Sequence, residues 1–327
     1  MPFISSVRGS YSAIGRGARG VSGADLKLQI TGGTVTTAGG YRIHTFTGPG
    51  TLSLSSYGLP ISTEVLAVAG GGGGGAWVGS GAGAGGMITS SSFSLAASTD
   101  YPVTVGGGGA GATADVGNIL TGGQNGQNST FSSFTALGGG NGGSYGATGA
   151  GDGGSGGGAM VNNPRDQVAG SGTQPTSPGN PPGSTGSGNP GGQYSPATNF
   201  WGAGGGGASQ AGQPAATNPA NAGYGGNGLA SSISGSPVTY AGGGGGGVNS
   251  PDAYRPGFGG SGGGGAGAGP NGAPWPGPVS PTGSVNGVPG QTNTGGGGGG
   301  AGSPGPTVVH AAGTGGPGIV VVRYLYP

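Results

Sequence analysis

The last strand-like stretch of the chain, Ile319-Val320-Val321-Val322-Arg323-Tyr324-Leu325-Tyr326, decides the fold. Apolar residues stand at consecutive positions, so a strand formed here has no polar face to turn to water. Such a strand is stable only when both of its faces are covered. Glu64-Val65-Leu66-Ala67-Val68-Ala69 has the same character and lies about 250 residues earlier. The two runs are therefore expected to pair, which sets the ends of the domain side by side. Everything between them becomes one long excursion from a β base.

Other strands follow from alternation. Leu26-Lys27-Leu28-Gln29-Ile30 has period two, and Tyr41-Arg42-Ile43-His44-Thr45-Phe46 follows as a further strand. Gly48-Pro49-Gly50 then supplies turn chemistry before Thr51-Leu52-Ser53-Leu54. Tyr101-Pro102-Val103-Thr104-Val105 also reads as a strand. Pro102 donates no ladder hydrogen bond and so predicts an edge or a strand start.

The excursion is punctuated by glycine blocks at 70–75, 106–109, 204–207, 242–247, 262–265 and 295–300. Glycine supplies 96 of 327 residues, roughly four times its usual share of about 7%. Block spacing is irregular, which excludes a fixed-period solenoid, and glycine is not confined to every third position as in collagen. A glycine block buries no side chain and loses much backbone entropy on ordering. It stays ordered only where its amides find partners. Two arrangements meet that need: packed polyproline-II helices, or flat β layers with glycine faces. Abundant proline, and the lack of β-branched residues within the blocks, favour polyproline II.

The expected fold is thus all-β. A β-sandwich-like base, residues 26–105 plus 318–327, is closed by the C-terminal strand. Residues 106–317 add packed polyproline-II-like glycine segments and long loops, with essentially no α-helix. Residues 1–25 form a separate basic leader. Arg8, Arg16 and Arg19 lie there and Lys27 just beyond, half of the eight basic residues, against Asp25. The leader suits docking on an acidic surface of another protein. Each arginine also precedes a glycine, as in nucleic-acid-binding Arg-Gly segments, and a plain solvated tail has the same composition.

Charge and motif content exclude much else. Eight basic and seven acidic residues leave a net charge of +1, which gives no general attraction to nucleic acid or anionic membrane. No apolar run is long enough to cross a bilayer as a helix, so no membrane insertion is expected. The opening residues lack the apolar core of a secretory signal, which implies release by lysis. There is no cysteine. Matches to G-x-G-x-x-G are a by-product of glycine content, since none opens an amphipathic helix followed by an acid. His44 and His310 have no acids near them in sequence and make a poor metal site. The acidic residues are scattered singly. No enzyme activity, cofactor or metal is expected. The candidate contact residues are the aromatics and a cation of the spacers: Phe200, Trp201, Tyr254, Arg255, Phe258 and Trp275. Aromatic faces stack on sugars and other receptors; the same rings can instead plug gaps over glycine layers.

Tyr41–Leu52, Glu64–Gly73, Tyr101–Gly106, Asn125–Phe131 and the close Gly315-Gly316-Pro317-Gly318-Ile319-Val320-Val321-Val322-Arg323-Tyr324 resemble, in order, the glycine-rich domain of bacteriophage tail appendage proteins. The likeness covers about residues 40–324, and the leader resembles the start of marine-phage structural proteins. Alternating glycine blocks and variable loops are also similar, in architecture alone, to the polyglycine-sandwich tip adhesins of T-even-like phages. The resemblance implies a virion fibre or tip component at the virion surface, its loops meeting a host surface glycan or protein. It also implies a homo-oligomer, with a trimer favoured, attached to another virion protein through Arg8, Arg16 and Arg19. Two alternatives stand beside this: a passive capsid-surface fibre, decoration or adaptor protein, and a non-viral glycine-rich extracellular protein.

Overall fold

The computed structural model describes residues 29–55, 60–114, 121–146, 149–160, 168–174, 180–193, 201–217, 220–248, 255–269, 286–302 and 310–326. Seven strands open this part: β1 (Gln29–Thr31), β2 (Thr34–Ala38), β3 (Tyr41–Phe46), β4 (Gly50–Ser55), β5 (Ile61–Val68), β6 (Met87–Leu95) and β7 (Thr99–Thr104). Short strands follow: β8 (Thr113–Ala114), β9 (Ser129–Phe131), β10 (Phe134–Ala136) and β11 (Ser184–Ser187). Two small hairpins come next, β12 (Ala216–Thr217) with β13 (Ala220–Asn221), and β14 (Leu229–Ser231) with β15 (Val238–Tyr240). The chain then passes through β16 (His310–Ala311) to β17 (Ile319–Leu325). No α-helix occurs among the described residues.

β17 lies in the middle of a six-stranded sheet of order β11-β6-β5-β17-β3-β2. It pairs antiparallel with β5, Val320 opposite Ala67, and with β3, Val320 opposite Phe46. The C-terminal strand therefore closes the sheet. Its even residues Val320, Val322 and Tyr324 face a second sheet, of order β1-β4-β7-β9-β10. There they join Leu52, Leu54, Val103, Phe131 and Phe134 in one core. The odd residues Ile319 and Val321 pack with Leu66 and Val68 beneath Ile233 and Tyr240. The run at 65–69 is accordingly buried throughout, at 0–1% exposure. Its second cover is the β14–β15 region, which the middle of the excursion supplies.

The division at residue 106 is not sharp in space. β9, β10 and β11 come from the middle of the chain and complete both sheets, whereas Gly70–Gly75 belongs to the glycine bundle. Pro102 also finds a mixed setting. β7 lies inside its sheet, yet β9 pairs with Val103 and Thr104 alone. On that side Pro102 stands at an edge. Of the run 26–30, Gln29 and Ile30 begin β1; residues 26–28 lie outside the described residues.

Hydrogen bonding shows what the glycine blocks are. Gly70 and Gly73 donate to the carbonyls of Gln127 and Gln124, Gly71 and Gly74 to Gly316 and Gly313, and Gly72 and Gly75 to Gly83 and Ser80. Their own carbonyls accept from Gly139 and Gly142, from Gly109 and Ala112, and from Gly298 and Ala301, all at 2.9–3.0 Å. Residues three apart address the same neighbour, and consecutive residues address different ones. A β-strand has only two hydrogen-bonding sides; a polyproline-II helix, with three residues per turn, has three. Six segments thus surround this one, three receiving its amides and three supplying its carbonyls. Gly242–Gly247 repeats the pattern, donating to 262–265, 223–226 and 79–82 and accepting from 297–300, 257–260 and 202–205.

The packing leaves no space for a side chain at the contacts. A Cβ on Gly73 would run into the Ala110 carbonyl, and one on Gly244 into the Gly298 carbonyl. Side chains occur where they point between segments, as at the buried Ala82, Ala112 and Ala301.

Candidate functional site

The bundle has two ends. At the base, Ala69, Gly85, Gly295 and Pro317 share one level through the Gly85–Gly295 and Gly295–Pro317 bonds, next to the strands. At the far end, Gly75 bonds Ala301, Gly79 bonds Ala301, Gly247 bonds Gly79 and Gly202 bonds Gly247. A six-residue helix at about 3.1 Å per residue separates these levels by roughly 19 Å. The far end is sealed by small apolar clusters. Ala76, Ala112, Ala301 and Ala312 form one, and Trp201, Ala215, Ala222 and Val248 another.

Ala159, Gly202, Gly247 and Ala301 all lie at this level, through the Ala203–Ala159, Gly202–Gly247, Gly247–Gly79 and Gly79–Ala301 bonds. Trp201 makes an antiparallel bridge to Val248, and Arg255 a parallel bridge to Asn221. Gly246 donates to Gly223 and accepts from Gly257, which sets Tyr224 and Phe258 side by side with ring centroids 5.4 Å apart. Trp201, Tyr224 and Phe258 therefore gather at this end of the molecule, whereas Tyr240 packs on the base.

Their exposure differs. Trp201 is buried at 7%, and its ring fills the gap over Ala215 and Ala222. Of the two roles open to a spacer ring, this packing is the gap-filling one: its neighbours are small, and the indole fills the space over them. Arg255 is exposed and Phe258 half-buried. Phe200, Tyr254 and Trp275 lie outside the described residues, as do Arg8, Arg16 and Arg19.

Sequence reading passed over a second aromatic pair at this end. Trp77 and Tyr145 stack at 6.3 Å between centroids, and Tyr145 is 37% exposed. Trp77 and Val78 have φ of 51° and 57°, a region that bulky and β-branched residues rarely enter. They form the reversal between Gly75 and Gly79, where the chain turns to pack against itself. Nothing in composition marks that turn, because it contains neither glycine nor proline.

The base carries the polar chemistry. Arg323 donates to Glu64 at 2.7 Å and to the Ser232 carbonyl at 2.9 Å, and its guanidinium lies 4.3 Å from the centre of the Tyr41 ring. On the opposite face, Arg42 covers the Tyr326 ring at 5.1 Å. His44 is buried and stacks on Tyr324 with centroids 5.8 Å apart. Its Nδ1–H donates to the Gly32 carbonyl at 2.8 Å, which assigns the tautomer because a carbonyl only accepts. Nε2 is buried without a partner among the described residues. Burial pulls the imidazole below its ordinary range and Arg42 adds to this, against the Gly32 bond. The buried site thus favours the neutral imidazole. Burial likewise raises the Tyr324 phenol, opposed by Arg42. His310 is paired with Ala114 in the β16–β8 ladder, on segments that run to the far end of the bundle. The two histidines do not meet. Among the described residues, no three His, Asp or Glu side chains come together.

An antiparallel sandwich carrying a hexagonally bonded polyglycine bundle defines a glycine-rich all-β protein. The chain belongs to the glycine-rich domain family, which matches residues 47–325. No curated protein matches it.

Proposed function

We propose that the chain is a structural virion protein of a bacteriophage, a fibre or fibre-tip component at the virion surface. The observation that carries this reading is the separation of roles along the bundle axis. The sandwich forms one end. At the other, Tyr145 and Arg255 are exposed and Phe258 half-buried, on a stem whose backbone hydrogen bonds leave little room for deformation. Such a stem would present recognition residues from a rigid element, the usual division between scaffold and recognition surface. In this reading Arg255 and Phe258 contact a host surface glycan or protein, joined by Phe200, Tyr254 and Trp275. Trp201 supports them from below. No chemistry is catalysed.

The leader, through Arg8, Arg16 and Arg19, docks on another virion protein. The chain acts as a cyclic homo-oligomer, a trimer by preference, because side-chain burial is concentrated in one small sandwich. Symmetric assembly would add buried area and present the leader several times. Immunogold labelling of purified particles tests the location: label at fibre ends supports the reading, and particles without label sink it. Light scattering tests the assembly, since a monomer at micromolar concentration contradicts the oligomer.

A further inference from the structure

On the outer face of the six-stranded sheet, away from the bundle's far end, lies a cavity of about 300 Å³. That volume is at the lower bound of small-molecule sites, about 300–1,000 Å³. Its floor is the Arg323–Glu64 pair. Thr89, Ser90 and Ser91 of β6 and Thr185 of β11 make one wall, and Ser231 and Ser232 at the end of β14 make the other. Ile233 is its apolar side chain, almost fully buried; Val65 also borders it but packs in the core on the other face.

The sheet is deformed at this place. β5 and β6 keep regular register from Val68 opposite Met87 to Val65 opposite Ser90, then resume at Thr63 opposite Phe93. Two residues, Ser91 and Ser92, therefore oppose the single Glu64. This is a β-bulge, a device that re-aims side chains and recurs beside functional sites. It falls beside the carboxylate on the cavity floor.

Charge balance limits the ligand. Arg323 is held by Glu64, by the Ser232 carbonyl and by the Tyr41 ring, so the floor is rigid and its two charges cancel. An anionic ligand gains no net attraction there. A ligand rich in hydroxyls does, because a carboxylate accepts from hydroxyl groups, a guanidinium donates to them and serine and threonine do both. We propose that this cavity binds one neutral sugar residue, hexose-sized, with Glu64 and Arg323 as its polar anchors and Ile233 against its C–H face. The proposal is independent of the virion reading, since the site belongs to the base and not to the spacer end. With one apolar side chain in the lining, binding of a free monosaccharide is expected to be weak and to be raised by repetition in an oligomer.

The test is saturation-transfer NMR on the full chain with D-glucose, D-galactose, D-mannose and N-acetylglucosamine as separate probes and D-glucuronate as the anionic control. Transfer to at least one neutral sugar, without transfer to glucuronate, is expected. Thr185→Trp and Ser91→Phe fill the cavity from exposed wall positions and should weaken that binding at least tenfold with melting unchanged. Binding that survives both substitutions places the ligand elsewhere and overturns the proposal. Silence from all four neutral sugars, or binding of glucuronate alone, overturns it as well. Immunogold labelling is blind to every one of these outcomes, so the two readings fail separately.

Discussion

The sandwich and the glycine bundle are held together by opposite means. In the sandwich, aromatic and branched side chains exclude water. Phe93 meets Phe134, Phe131 and Tyr101 at centroid distances of 5.0, 5.7 and 6.1 Å. In the bundle almost nothing is excluded by side chains. The amides and carbonyls of one segment are consumed by six others. A side-chain core tolerates repacking, because volume can be redistributed. A backbone lattice has no volume to redistribute, so its tolerance depends on absent atoms.

The largest expected effect breaks that lattice. Gly244→Val places a branched side chain against the Gly298 carbonyl, in a helix bonded on all sides. The variant is expected to yield no soluble folded protein, or to lose at least about 4 kcal/mol, the range reserved for severe core lesions. Gly244→Ala is expected to fail similarly, because the first carbon already collides. Urea unfolding followed by circular dichroism measures this, and a midpoint within error of the parent refutes the lattice account.

The matching lesion in the sandwich is milder and graded. Phe131→Ala should cost about 3–5 kcal/mol through its cavity, and Phe131→Leu should stay under about 1.5 kcal/mol. The same urea series reads both. If Phe131→Leu proves as damaging as Gly244→Ala, the two regions do not differ in kind.

This contrast also explains what the sequence made legible. Ile319–Leu325 and Val65–Val68 announce themselves because both faces of each are apolar, and the structure pairs them. The three-way bonding of the blocks was foreshadowed by what they lack, β-branched residues, and by abundant proline around them. Partner choice was not legible. Gly70–Gly75 has no side chain to specify that 124–127, 313–316 and 80–83 receive its amides. β6 was missed because Met87–Leu95 is serine-rich and its bulge breaks the alternation. β9 and β10 are three residues each, too short for a period. The inward turn of Trp201 depends on Ala215 and Ala222 being small, which no local pattern conveys. The cavity floor joins residues far apart in the chain, Glu64 and Arg323, through a pairing that was expected, yet its walls come from strands that were not.

A smaller effect sharpens the side-chain half of the comparison. His44 is buried in the sandwich end with its folded pKa lowered by burial. In the unfolded chain it titrates near its ordinary value of about 6.5. Below that pH the unfolded state takes up a proton that the folded state refuses, so stability falls as pH drops below about 6.5. Above about 7.5 this dependence vanishes. The slope from one such group is at most about 1.4 kcal/mol per pH unit. Melting curves from pH 8 to 5 should show it, and His44→Phe should flatten it despite a lower starting stability. Equal slopes in both proteins would mean that other groups dominate. The bundle segments described here contribute no comparable buried titratable group.

The smallest expected change separates two reasons for a glycine. Gly39 and Gly40 join β2 to β3, with Ala38 opposite Tyr41 and φ values of 57° and 79°. Two central residues with positive φ between antiparallel strands make a type I′ hairpin, whose favoured sequence is Asn-Gly. A Cβ at Gly39 meets nothing within 4 Å. The constraint there is dihedral, whereas at Gly244 it is spatial. Asparagine accepts the left-handed region and narrows the unfolded ensemble, so Gly39→Asn should be neutral or stabilising by up to about 0.5 kcal/mol. Gly39→Val should cost only about 1–2 kcal/mol, the left-handed penalty for a residue with a Cβ. Valine at 39 and valine at 244 thus add the same atoms to the same residue type with expected losses that differ severalfold. If the two cost the same, conformation and not space governs glycine throughout this chain, and the lattice argument fails at its centre.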